Sequence, residues 1–278
     1  MKKSIINLFA TSLTVFFSLL STPIDAQVPV SAENRFPVSP TKGFPFFAKE
    51  DSTPYKINIA KGVPIVASGT ALTLASIVVR SHRAALTLEQ VNALNRNDVW
   101  SIDRSAVDHY SPSAAHLSNV FLYSSMATPF LYLIPSKTRH DFGRIALMQF
   151  ESVLFAYGLT SLTKSITQRV RPFTYNPAVP LDEKLSKNAN ESFFSGHVST
   201  TAAMSFFMAS TFSQYYPESR LKPLVWTYAI VWPAATGYLR YRAGAHFLSD
   251  IVVGYVVGAA TGIIVPKIHQ KLRRKRIK

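Results

Sequence analysis

Two histidines, an aspartate and three cations stand where an otherwise apolar chain changes direction. In "LRYRAGAHFLSD", Leu239 to Asp250, Gly244 is placed to break one helix, and the next starts near His246. His246 and Asp250 then fall i and i+4 on one helical face, close enough for a side-chain contact. An aspartate on one imidazole nitrogen fixes the tautomer and leaves the other nitrogen free to attack. In "SFFSGHVSTTAAM", Ser195, Gly196 and His197 open an apolar helix. The amides near Ser195 and Gly196 are expected to lack acceptors and to favour an anion through their N–H groups and the helix dipole.

In "KSITQRVRP", Lys164 and Arg171 are seven residues apart, almost two helical turns, so both can point the same way. Pro172 disfavours helix at Arg171 and marks the exit into a loop. Arg240 is the third cation. Each segment alone also has a structural reading: snorkelling cations at a membrane boundary, a serine cap, a histidine–aspartate pair that only packs. Together, cations and amides on one side are what a phosphate needs, and such electrostatics are the main stabilisation of a transferring phosphoryl group.

The elements that must position these groups are apolar runs: Ala115 to Pro135, Phe142 to about Thr163, His197 to Tyr216, Leu224 to Leu239 and Phe247 to Val265. They show no period-two alternation, so a membrane barrel is excluded and an all-α polytopic membrane bundle of five or six transmembrane helices is expected. Of the 278 residues, 30 are Lys or Arg and 15 are Asp or Glu, giving a net charge of +15. Seven of the basic residues crowd into the final "KIHQKLRRKRIK" and the rest flank apolar runs, which argues for membrane boundaries and against nucleic acid. The chain has no cysteine, which removes disulfides, thiolate metal sites and cysteine nucleophiles.

The expected organisation is a signal peptide at 1–26, a proline-rich extended lead-in at 27–56, and an apolar plus an amphipathic polar segment at 57–114. A transmembrane domain at 115–266 and a basic cytoplasmic tail at 267–278 complete it. The positive-inside rule puts the tail in the cytoplasm. The loop Pro172 to Ser195 and the junction Arg240 to Ala245 then share the periplasmic side of a bacterial inner membrane. Counting both the signal and Gly62 to Val79 as spans would put the tail outside. The favoured resolution is a cleaved signal, with Gly62 to Val79 against the bundle or in the interface.

The motifs carry a resemblance. Lys164-x6-Arg171-Pro172, Ser195-Gly196-His197 and Arg240-x5-His246-x3-Asp250 are similar, in that order, to the K-x6-RP, PSGH and SR-x5-H-x3-D pattern of the type 2 phosphatidic-acid phosphatase superfamily, a family related to vanadium haloperoxidases. The similarity covers about Ala115 to Val265. Phe194 replaces the pattern's proline and Leu239 its serine, both uncharged positions.

The resemblance implies a lipid phosphatase with His246 as the nucleophile, Asp250 orienting it, and His197 protonating the leaving group before activating water. It implies Lys164, Arg171, Arg240, Ser195 and Gly196 around the phosphate, and no metal or cofactor. The expected partner is the membrane and a phospholipid, polyprenyl or lipid A phosphate substrate: undecaprenyl pyrophosphate, lipid A phosphate or phosphatidylglycerol phosphate. A lipid phosphotransferase would use the same groups. A transporter would spread ionisable residues through the depth of several helices, whereas these, Glu151 apart, gather at one face.

Overall fold

The computed structural model describes residues 52–271. The expected signal, nearly all of the lead-in and most of the basic tail lie outside the described residues. Within them six long helices succeed one another: α1 (Ile59–Ser81), α2 (Pro112–Met126), α3 (Phe142–Thr167), α4 (Gly196–Tyr215), α5 (Lys222–Arg242) and α6 (Leu248–His269). No strand occurs among the described residues, which contain one isolated bridge between Tyr55 and Gln270.

Local chemistry sets several of the boundaries. Asn58 caps α1 by accepting from the Lys61 amide, and Ser111 caps α2 through the Ala114 amide, with Pro112 in the first turn. α3 ends where Gln168 adopts a left-handed φ of 49°. The run Ala115 to Pro135 is not one helix. α2 stops at Met126 and a 3-10 turn, Thr128–Leu133, follows, because Pro129 has no amide to continue the α-helical ladder.

The bundle is apolar outside, and its interior carries many small polar side chains beside the apolar ones, as expected when lipid is the solvent. Val63, Leu74 and Ile77 of α1, Val120 of α2, Ile230 of α5, and Val252, Val256 and Ile264 of α6 are exposed. Ser118, Ser125, Ser152, Thr160, Ser199, Thr201, Ser205 and Thr236 are buried. α1, α3 with its following turn, and α6 are each long and apolar enough to cross a membrane. α4 and α5, at 20 and 21 residues, have the length of a span.

α1 runs beside α3 along its height. Gly62 meets Glu151, Gly69 meets Leu154 and Phe155, and the Ser165 hydroxyl donates to the Ser76 carbonyl at 3.2 Å. At the end of the bundle away from Lys164, Glu151 finds a buried partner: His269 Nε2 lies 2.7 Å from Oε2, and the Asn58 amide donates to His269 Nδ1 at 3.1 Å.

The closest crossing is between α6 and α4. Gly254, Gly258 and Gly262 form a stripe at four-residue spacing, and a Cβ on each would stand 2.7, 2.1 and 2.5 Å from the carbonyl oxygens of Ser195, Ser199 and Ala203. Only glycine lets the two backbones approach this far. The stripe therefore fixes the start of α4, with Ser195 and His197, against the start of α6, with Asp250.

Candidate active site

Every candidate residue named from the sequence lies at one end of the bundle, where α3 and α5 end and α4 and α6 begin. Local backbone differs from the sequence expectation at three places, each with a physical reason. Arg171 is not carried by helix periodicity. The chain has left α3, and Arg171 is extended (φ −77°, ψ 151°) before Pro172, in keeping with proline's effect on its predecessor. The Ser195 amide is not free, because it donates to the Asp250 carbonyl at 3.0 Å. The first-turn amides of Gly196, His197 and Val198 are the ones that helix geometry leaves without an acceptor.

The third difference is that His246 and Asp250 do not share a helical face. α5 ends at Arg242, Gly244 turns the chain at φ 66°, and α6 starts only at Leu248, so His246 sits in the connection. A side chain at position 244 would run into the His109 carbonyl, 2.1 Å from where its Cβ would lie. The two groups are still neighbours, with His246 Nδ1 3.6 Å from Asp250 Oδ2. That is beyond hydrogen-bond length.

Asp250 is held by other groups. Its Oδ1 accepts from Arg169 at 2.5 Å, and its Oδ2 accepts from the Ser192 hydroxyl at 2.5 Å and the Phe247 amide at 2.9 Å. The last bond closes the start of α6, as an acidic residue in a first turn does.

The cations have a different environment. Lys164 donates to the Glu191 carbonyl at 3.0 Å. Arg171 donates to the Asn188 carbonyl, the Asn188 side chain and the Ala245 carbonyl, at 2.8 to 3.0 Å. Arg240 reaches the Ser118 hydroxyl at 3.3 Å. Among the described residues, no carboxylate is paired with any of the three, while Arg80, Arg83, Arg96, Arg144 and Arg169 all have one. Three cations without counter-ions in a protein interior are electrostatically unfinished until an anion joins them.

Other atoms point the same way. Among the described residues, Ser195 Oγ and Arg240 Nε are buried and have no hydrogen-bond partner. Buried polar atoms without partners are uncommon and suit a ligand-binding surface.

His246 is 1% exposed. Burial first, then the charges of Arg171, Lys164 and Arg240, hold its imidazole well below the usual pKa. The ring is therefore neutral near pH 7, with a lone pair available for attack. His197 lies within the field of Arg240, His246, Lys164 and Arg171. Its Nε2 is 2.7 Å from Asn119 Oδ1 on α2. With the amide oxygen facing it, that nitrogen carries the proton.

Sequence reasoning missed Asn119, Ser118, Ser192, Glu191, Arg169 and Asp103. Each acts through a partner distant in the chain, and none recurs at a spacing that would mark it.

Residues 145–274 match the family model described as the PAP2 superfamily. The chain is also similar to a solved structure, the transmembrane PAP2 type phosphatidylglycerolphosphate phosphatase from Bacillus subtilis. It is 21% identical, with a TM-score of 0.41, over 75% of this chain and 99% of that one. No curated protein matches.

Proposed function

We propose that this chain, whose residues 145–274 match the PAP2 superfamily model, is an integral membrane phosphatase acting on a lipid phosphate through a phosphohistidine. The observation that carries the reading is the convergence of Lys164, Arg171 and Arg240, without carboxylate partners, on a buried neutral His246. In this scheme the three cations, the Ser195 hydroxyl and the Gly196 amide hold the phosphate oxygens. They concentrate positive charge where the transition state spreads negative charge.

The His246 nitrogen remote from Asp250 attacks phosphorus. A P–N bond forms as the P–O bond to the lipid breaks, and the leaving oxygen takes a proton from the imidazolium form of His197, which leaves that ring neutral. His197 then accepts a proton from water, whose oxygen attacks the phosphohistidine, releasing phosphate and restoring the neutral ring. Asp250 faces the developing imidazolium and stabilises it. No step requires a metal.

The substrate is an envelope lipid: undecaprenyl pyrophosphate, lipid A phosphate or phosphatidylglycerol phosphate. The site faces the periplasm of a bacterial inner membrane. This orientation rests on α6, which runs from the site to His269 and leads into the basic residues of the final segment. Counted as spans, α1 to α6 make six and put the start of α1 on the same side as the end of α6, so a cytoplasmic tail requires α1 to start at the cytoplasmic face.

The test is release of inorganic phosphate by purified protein from a panel of these three lipids, with and without a chelator. The expected result is turnover of at least one lipid, unaffected by the chelator and abolished in His246→Ala. Full activity of His246→Ala, or no release from any of the three, defeats the reading.

A further inference from the structure

Asp103 lies between α1 and α2, outside the residues that match the family and in a segment with no part of the three motifs. It is fully buried. It precedes the 3-10 turn Arg104–Asp108 but its side chain makes no cap bond there. Its carboxylate reaches the candidate site instead. Oδ1 accepts from the Ser249 amide at 2.9 Å, and Oδ2 accepts from the Ser249 hydroxyl at 2.6 Å and from Arg169 Nη2 at 2.8 Å.

Arg169 joins this carboxylate to the second one. Its Nη1 donates to Asp250 Oδ1 at 2.5 Å and to the Ser249 hydroxyl at 2.8 Å. The guanidinium also lies over the Phe247 ring, 4.2 Å from its centroid. Both ends of the planar fork are thus engaged by carboxylates, which separates Arg169 from the three cations that lack them. A guanidinium is rigid, so fixing Nη2 on Asp103 fixes the direction of Nη1 at Asp250. Asp103 also grips the backbone of Ser249, the residue before Asp250. The segment is anchored by packing, since Val99, Ala106 and Val107 form a buried cluster with Phe247, next to His246.

We infer that Asp103 is a positioning residue for the histidine–aspartate pair, acting through Arg169 and Ser249 to set the Asp250 carboxylate against His246. The inference rests on the phosphohistidine reading. Without Asp103 the arginine loses the anchor on Nη2, and the Asp250 carboxylate can turn away from an imidazole that is already 3.6 Å distant. Phosphate binding, which belongs to Lys164, Arg171 and Arg240, is left intact.

The test uses the full-length protein and whichever lipid of the three-lipid panel the wild type cleaves fastest. Asp103→Asn is expected to lower kcat about 10- to 100-fold, with KM within about threefold, as a misplacement of catalytic geometry does. Arg169→Gln should do the same. The double variant should lose less than the product of the two single losses, because both residues act on the same carboxylate. A variant that raised KM, or two losses that multiplied, would overturn the inference. So would a wild-type kcat in Asp103→Asn while His246→Ala is inactive.

Should Asp103→Asn fail to fold, Arg169→Lys decides the question. It keeps the charge but cannot bridge two carboxylates, so a fall in kcat at unchanged KM supports the inference and a wild-type kcat refutes it. If the wild type cleaves no lipid of the panel, the phosphatase reading fails and takes this inference with it. Activity lost in His246→Ala but untouched in both Asp103→Asn and Arg169→Lys removes this inference alone.

Discussion

Gly258 lies about two turns along α6 from Asp250, roughly 12 Å from the candidate site, yet Gly258→Ala should disable it. The added Cβ would stand 2.1 Å from the Ser199 carbonyl oxygen, 2.8 Å from its carbon and 2.9 Å from Ala202 Cβ. The atoms it meets are mainly backbone of α4, which cannot rotate aside as a side chain would. Ordinary contact begins at 3.4 Å, so α4 and α6 must part by roughly 1 Å, and overpacking of this kind costs about 1–3 kcal/mol of stability.

The same displacement acts on the bond from the Ser195 amide to the Asp250 carbonyl, 3.0 Å long, which holds the two halves of the site together. A misplacement of about 1 Å lowers a rate about 100-fold, or about 2.7 kcal/mol of barrier. The assay is phosphate release at saturating lipid, with thermal unfolding followed in parallel. Val256→Ala, on the exposed face of the same helix, is the comparison and should stay within about twofold of wild type, as surface changes do. Wild-type kcat and unfolding temperature in Gly258→Ala would refute the claim that the glycine crossing sets the site.

Two further outcomes follow from the site's hydrogen bonds and charges. Asn119→Leu removes the acceptor at His197 Nε2 and should lower kcat about 5- to 100-fold, the scale of a lost bond to a buried partner; a raised KM at unchanged kcat would assign Asn119 to substrate contact instead. His246 is held neutral by burial and by the facing charges of Arg171, Lys164 and Arg240, so below about pH 6.5 the unfolded chain takes up a proton that the folded chain refuses. Wild-type stability should therefore fall relative to His246→Gln as pH drops below that value, with a limiting slope of about 1.4 kcal/mol per pH unit. Parallel unfolding curves for the two proteins from pH 7.5 to 5 would count against it.

The bundle was legible because lipid exposure writes itself into long apolar runs, and the runs ending at Tyr216 and Leu239 fall within about three residues of α4 and α5. Where a run hid a proline, as at Pro129, hydropathy alone could not show the change to a 3-10 turn. The charged groups were legible as residue types, since ionisable side chains at a membrane boundary are few. Their backbone setting was not. Periodicity put His246 on a helix, but Gly244 and the extended Phe247 keep it in the connection.

The partners of these groups were invisible for a further reason. Arg169 pairs with Asp103 and Asp250, 66 and 81 positions away, and Asn119 meets His197 across 78. Such contacts follow from which helix ends the fold gathers, and no local spacing encodes them.

The central claim is that His246 carries the phosphoryl group. His197→Ala should form the intermediate and hydrolyse it slowly, particularly from undecaprenyl pyrophosphate, whose leaving phosphate needs little help from an acid. Quenching this variant in alkali during turnover of labelled lipid, then mapping the peptides, tests the claim directly. The account predicts an acid-labile, alkali-stable phosphate on the peptide containing His246, absent in the His197→Ala/His246→Ala double variant. Label on another residue, or turnover by His246→Ala, would contradict it.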